Sequence, residues 1–297
     1  MDSPAGEGLG RLLEVLALCA SRGSLYALIS VGFALALGSG GVLNLFHGSF
    51  FLIGAYGAYL AAAANLAGES PVTRFLATLL VGAAVGALAL CYHRAILRPA
   101  AGSWLRLVTV GMAANLLVSE GFRAYFGTRS ASVPPIVDGT TRVGALNVPT
   151  QELFIVLVAA TILSALGWVL TRTSWGLSIR AVAQDPVGAR LVGINPTLTL
   201  AITVALSGLL AGLAGALAAP TRIVRPDMWS FALLKALTVV IVGGIGSLRG
   251  TTLAAFGLGA LEVTTTAFVG ETAAELSGVL VAVAVLSLRP RGVVSDA

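Results

Sequence analysis

Charge is what this sequence has least of. Charged residues fill 10% of its 297 positions, and lysine occurs once, at position 235. Soluble domains carry about 25% charged residues, so the polar surface that a soluble globule of this size needs is missing. Cysteine is nearly absent too. Cys19 and Cys91 both sit within apolar runs, which excludes a disulfide framework. Two histidines and two cysteines spread far apart make a metal cluster improbable. No G-x-x-x-x-G-K-[ST], H-E-x-x-H or G-x-S-x-G string occurs, so a phosphate loop, a zincin helix and a nucleophile elbow are all excluded. The net charge is +5, but the arginines stand singly between apolar runs and do not interleave with aromatics. Nucleic acid is therefore not an expected partner. The N-terminus lacks the basic flank of a cleavable signal peptide, so the first helix is expected to stay.

What the chain has in abundance is apolar length. Hydrophobic residues make up 57% of it, with a mean hydropathy of +0.94. Read at roughly 20 residues per crossing, apolar runs fall at about 12–38, 48–67, 74–92, 105–126, 152–171, 198–219, 233–248, 250–268 and 276–288. The expected fold is an all-α polytopic bundle of eight or nine membrane helices in one domain, 1–297. A break in the first run is expected near Ser21-Arg22-Gly23. Glycine spacing predicts close helix packing at Gly54, Gly57, Gly212, Gly243, Gly246 and Gly250.

Arginine placement orients the bundle. The segments 93–106 and 172–190 and the tail with Arg289 and Arg291 fall on one side under an alternating count, which is read as cytoplasmic. The other side carries Glu69, Asp138, Glu152, Glu271 and Glu275, but also Arg129, Arg142, Arg222 and Arg225. Two connections are long. The outer one, 127–151, holds Pro134-Pro135, Gly139, Gly144 and Pro149 and reads as an ordered loop or short hairpin. The inner one, 172–197, has Ile179, Val182, Val187, Leu191 and Ile194 at helical spacing with Pro186 and Pro196 as punctuation, and reads as a pair of short surface helices. Segments 44–60 and 246–262 also share a polar turn, a glycine and a small-residue helix, a faint internal repeat.

Polar residues inside apolar runs are the candidate site residues, because ionisable groups there are costly and usually face protein or water. Glu262 either lines a path or bonds to a neighbouring helix. Glu120 and Arg123 are three apart and are expected to pair. Lys235 is expected to snorkel to the interface, and Asn115 to bond between helices. Asn44 and His47 interrupt the stretch VLNLFHGSFFLIG. They either line a broken helix or form a packed turn at the inner interface. No acid and base pair recommends an enzyme.

Four segments together resemble the permease subunits of branched-chain amino acid (LIV-type) ABC importers. They are YALISVGFALALGSGGVLNLFHGSFFLIGAY (26–56), ILRPAAGSWLRLVTVGMAANLL (96–117), SIRAVAQDPVGARLVGIN (178–195) and FALLKALTVVIVGGIGSLRGTTLAAFGLGALE (231–262). In order and spacing they cover nearly the whole chain, and the lack of a long extension matches the shorter of the two permease types. The resemblance implies an inner-membrane subunit that binds no ATP and moves branched-chain or other hydrophobic amino acids by alternating access. It implies a second related permease, two cytoplasmic ATP-binding subunits, an extracytoplasmic binding protein and surrounding lipid as partners. It implies ATPase docking on 178–195, where Arg180, Asp185, Gly188, Arg190 and Gly193 are the candidate coupling residues. The path candidates are Asn44, His47, Asn115 and Glu262. Urea, short amides or another small solute are the alternative cargo. An ion-coupled transporter working alone is the alternative of another class.

Overall fold

The computed structural model describes residues 4–293 except 42, 67, 69, 128, 129, 144, 145, 290 and 291, and gives side chains from residue 13 onward except 142–147. Glu69, Arg129, Gly144, Arg291 and the Arg142 side chain thus lie outside the described residues.

Long apolar helices make the body. Helix α1 spans Pro4–Gly40, α2 His47–Ala63 and α3 Pro71–Tyr92. One π-helical turn, His93–Leu97, joins α3 to the short α4, Arg98–Ala100. Helix α5 spans Trp104–Phe126, and a two-stranded hairpin follows, β1 Thr140–Val143 and β2 Leu146–Pro149. Helix α6 covers Thr150–Arg172, α7 Ser174–Gln184, α8 Pro186–Leu191 and α9 Pro196–Ala218. Helix α10 is Met228–Gly243, α11 Leu248–Phe268 and α12 Glu271–Leu288. The boundaries are set by local chemistry. Ser70, Ser103, Thr173, Asp185, Asn195 and Ser247 each accept a backbone N–H in the first turn of the helix they precede.

Among the described residues six helices have the length and apolarity of a crossing, or seven if the bent pair α10–α11 counts as one. The expected count of eight or nine is not confirmed among the described residues, for two reasons. Helices α10 and α11 meet at 118° across Gly244–Ser247 and do not stand as separate spans. Helix α2 has only 17 residues and starts inside the bundle. His47, its first residue, lies against Ile29 and Ser207, which are midway along the candidate spans Leu13–Gly40 and Pro196–Ala218. The chain therefore turns back after Gly40 and begins α2 at mid-depth, not at the interface where the packed-turn reading set it. The expected break at Ser21-Arg22-Gly23 is absent, and α1 runs straight through. Gly23 serves packing instead: its backbone lies against Gly259 and Phe256 of α11.

Helices α3 and α9 run antiparallel, with Gly82 on Leu213 and Gly86 on Leu209. The end of α3 therefore reaches the start of α9, which α7 and α8 immediately precede. At this same end Leu35, Leu170 and Ile179 cluster, Gly38 meets Gly246, and Gly292 meets Gly244. The three arginine-bearing segments expected on one side do share one end. The β-hairpin marks the other, where Ala131 pairs with Val224 and Arg74 meets Asp138 at 2.8 Å. Large apolar side chains such as Leu80, Leu117, Leu157 and Leu280 are exposed on the outer helices, which suits contact with lipid tails.

Candidate functional site

Glycines bring the central helices into backbone contact. Gly54 sits on the carbonyl of Gly212, Gly215 on that of Phe51, and Gly57 faces Val81. Gly243 and Gly250 face each other across the α10–α11 bend. Gly246 differs from the rest, since its φ of 90° makes it a turn residue as well as a neighbour of Gly38.

His47 is fully buried at this centre. Its Nε2 lies 2.9 Å from the Ile29 carbonyl, which can only accept, so Nε2 carries a proton. Its Nδ1 is 3.1 Å from the Ser207 hydroxyl, so one ring ties α1, α2 and α9 together. Asn44 does not share a helical face with it. Its Oδ1 accepts from the Phe46 N–H at 3.2 Å and shapes the turn into α2. Asn115 bonds between segments as expected, accepting from Ser49 Oγ at 2.5 Å and donating to the Leu45 carbonyl at 2.6 Å. Glu120 and Arg123 pair at 2.9 Å on an exposed helix face.

Glu262 is the centre of a charged cluster nearer the hairpin end. Lys235 Nζ lies 2.7 Å from Oε2, Tyr26 OH donates at 2.6 Å, and Arg22 approaches Oε1 at 3.4 Å. Lys235 does not snorkel; it is 8% exposed because it has this buried carboxylate as a partner. Arg222 lies beside the cluster, its guanidinium 4.6 Å over the ring of Phe231. Burial lowers its pKa from the ordinary value, yet a guanidinium stays charged at neutral pH. A cavity of about 710 Å³ opens here, lined by Arg22, the 221–231 segment, Lys235, Glu271 and Glu275 among others. Sequence reasoning missed Arg22, Tyr26 and Arg222 as members of this group. Two signals were present: Arg22 is a charge inside an apolar run, and Lys235 is the sole lysine. Their convergence on Glu262 spans up to 240 residues of sequence, and only the fold supplies it.

The α7–α8 connection forms the short helix pair that its spacing predicts. Asp185 caps α8 through Val187 N at 2.9 Å, and Gly188 sits against the Asp185 carboxylate. Arg180 donates to the Leu170 carbonyl and anchors α7 to α6. Gly193, with φ of 87°, lets Ile194 N–H bond back to the Ala189 carbonyl at 3.0 Å, which closes α8. Arg190 is exposed. Ile179 and Val182 face inward, while Leu177, Val187, Leu191 and Val192 are exposed. Among the described residues no group of three or more His, Cys, Asp or Glu could hold a metal.

Residues 15–288 match the protein family described as "Branched-chain amino acid transport system / permease component". The high-affinity branched-chain amino acid transport system permease protein LivH of Escherichia coli K12 is 27% identical over 284 residues, covering 91% of each chain. The related permease protein LivM of Salmonella typhimurium is 27% identical over 293 residues, covering 90% of this chain and 67% of that one. The fructose import permease protein FrcC of Rhizobium meliloti is 35% identical over 152 residues, covering 48% of this chain and 41% of that one.

Proposed function

The chain belongs to the family of branched-chain amino acid transport system permease components, and from that premise we propose that it carries branched-chain or other hydrophobic amino acids by ATP-driven alternating access. It is a multi-pass inner-membrane permease of an ABC importer, not an enzyme. The whole of 1–297 is one transmembrane domain with a second permease beside it, two ATP-binding subunits at the α7–α8 end and a binding protein at the hairpin end. The α7–α8 end is cytoplasmic in this reading.

The observation that carries the reading is the α7–α8 unit. It is capped at Asp185, anchored by Arg180 and closed at Gly193, and it still exposes Leu177, Val187, Leu191 and Val192. A stiff, amphipathic element at the end of the spans is what a nucleotide-driven partner needs in order to move them. Glu262 flanks the path, and Asn44, His47 and Asn115 hold the wall behind it. Another small solute is a second cargo class, supported by the identity shared with a fructose import permease.

The test is reconstitution with the partner subunits in vesicles. Gly193→Val forces a β-branched residue to φ of 87°, and uptake of labelled L-leucine is expected to fall at least about tenfold, from strain of order 2 kcal/mol. Wild-type uptake and ATP turnover in this variant would remove the loop from coupling.

A further inference from the structure

Three cations, Arg22, Arg222 and Lys235, surround the cluster at Glu262, which is the carboxylate bonded to Lys235, Tyr26 and Arg22. Glu262 is thereby occupied, and Arg222, which touches Tyr26 and lies over Phe231, has no carboxylate partner among the described residues. The Nη2 of Arg222 is buried and has no hydrogen-bond partner among the described residues. An unsatisfied buried guanidinium nitrogen is costly, and such a group calls for an acceptor that the chain itself does not supply.

The surroundings give the acceptor's chemistry. The cavity of about 710 Å³ has its charges sorted by wall. Arg22, Arg222 and Lys235 lie on the α1–α10 side, and Glu271 and Glu275 stand on α12. Asp227 is already paired with Arg225 at 3.3 Å. Phe231 and Leu234 supply apolar surface. A second cavity of about 10 Å³ shares Arg222, Phe231 and Lys235 with the first and continues inward to Ile29 and Phe51. Both cavities thus share the same cationic threshold, which lies between the hairpin end and the bundle centre.

Resting on the reading above, we propose that this vestibule receives a zwitterionic amino acid, its carboxylate on Arg222 and Lys235, its ammonium toward Glu271 and Glu275, and its side chain on Phe231 and Leu234. The arriving carboxylate competes with Glu262 for Lys235. Binding thereby loosens the link between α10 and α11, which ties occupancy to helix movement. A charged hydrogen bond of this kind carries one to two orders of magnitude in affinity.

The experiment uses the assembled importer, purified with its partner subunits but without the binding protein, and reads saturation binding of labelled L-leucine. Arg222→Gln is expected to weaken binding at least about tenfold, and Arg222→Lys to recover part of it. In the wild type, 4-methylpentanoate is expected to compete for L-leucine at least about fivefold better than 3-methylbutylamine, since it keeps the carboxylate. Co-elution of the ATP-binding subunits checks assembly of each variant. If Arg222→Gln does not assemble, the competition series in the wild type still decides. Unchanged binding in an assembled Arg222→Gln importer, or an amine that competes as well as the acid, overturns the proposal. Wild-type uptake of L-leucine in vesicles is scored separately, and its absence would sink the cargo reading and not only this site.

Discussion

The seam between α2 and α9 and the vestibule beside α10–α12 solve opposite problems with opposite means. Neither α2 nor α9 contains an Asp, Glu, Lys or Arg. Their contact is backbone on backbone, through Gly54, Gly212 and Gly215, with one histidine as a polar bolt. Among the described residues the vestibule is hollow and holds eight Asp, Glu, Lys and Arg side chains at or behind its walls: Arg22, Arg222, Arg225, Asp227, Lys235, Glu262, Glu271 and Glu275. In lipid there is no hydrophobic drive between helices, so the seam gains its stability from close approach. The vestibule tolerates a buried lysine and a buried glutamate because the two satisfy each other. One region fixes the bundle, and the other leaves room for something to arrive.

The sharpest way to break the contrast is at Glu262. Glu262→Ala leaves Lys235 buried without its carboxylate, and about 3–5 kcal/mol of stability is expected to be lost, read as a lower thermal midpoint in detergent. Pairing Glu262→Leu with Lys235→Met is expected to restore part of that loss, because the buried lysine is then gone with its partner and only the half-exposed Arg22 loses a carboxylate. A double variant as unstable as the single would show that the packing, and not the charge, matters there. The seam responds to size. In Gly215→Ala the new Cβ would press on the Phe51 carbonyl, and about 1–3 kcal/mol is expected in the same assay. A neutral outcome would mean that the α2–α9 approach can relax. The smallest effect belongs to neither region. Glu120 and Arg123 are both solvent- or headgroup-exposed, and Glu120→Ala is expected to change stability by less than about 0.5 kcal/mol.

Much of the fold was legible along the chain, and the reasons differ by element. Apolar length predicted the helices because a span must satisfy every backbone group internally, and the observed helices fall close to the runs. The 127–151 hairpin and the α7–α8 pair followed from Gly, Pro and helical spacing. Apolar length says nothing of angle or depth, so the 118° bend and the mid-depth start of α2 could not be read. Ser21-Arg22-Gly23 looks like a break only until α11 is known to press on Gly23. At the site, Glu262 stands out in the sequence as an acid in an apolar run, whereas the long aliphatic stem of Lys235 points to the interface. The pairing of these two residues, 27 positions apart, depends on the bend that the sequence conceals.

That bend carries a mechanical consequence. Helices α10 and α11 form a V whose apex is the Gly244–Ser247 turn, with φ of 99° at Gly244 and 90° at Gly246. The 2.7 Å contact between Lys235 and Glu262 crosses the V's open side. A V with a cross-strut is a triangle, and a triangle does not flex at its corners. Remove the strut and the same two helices become a pair of arms on a glycine pivot. Beyond the apolar contacts near the apex, this ion pair is what makes the two arms a brace and not a pair of tongs.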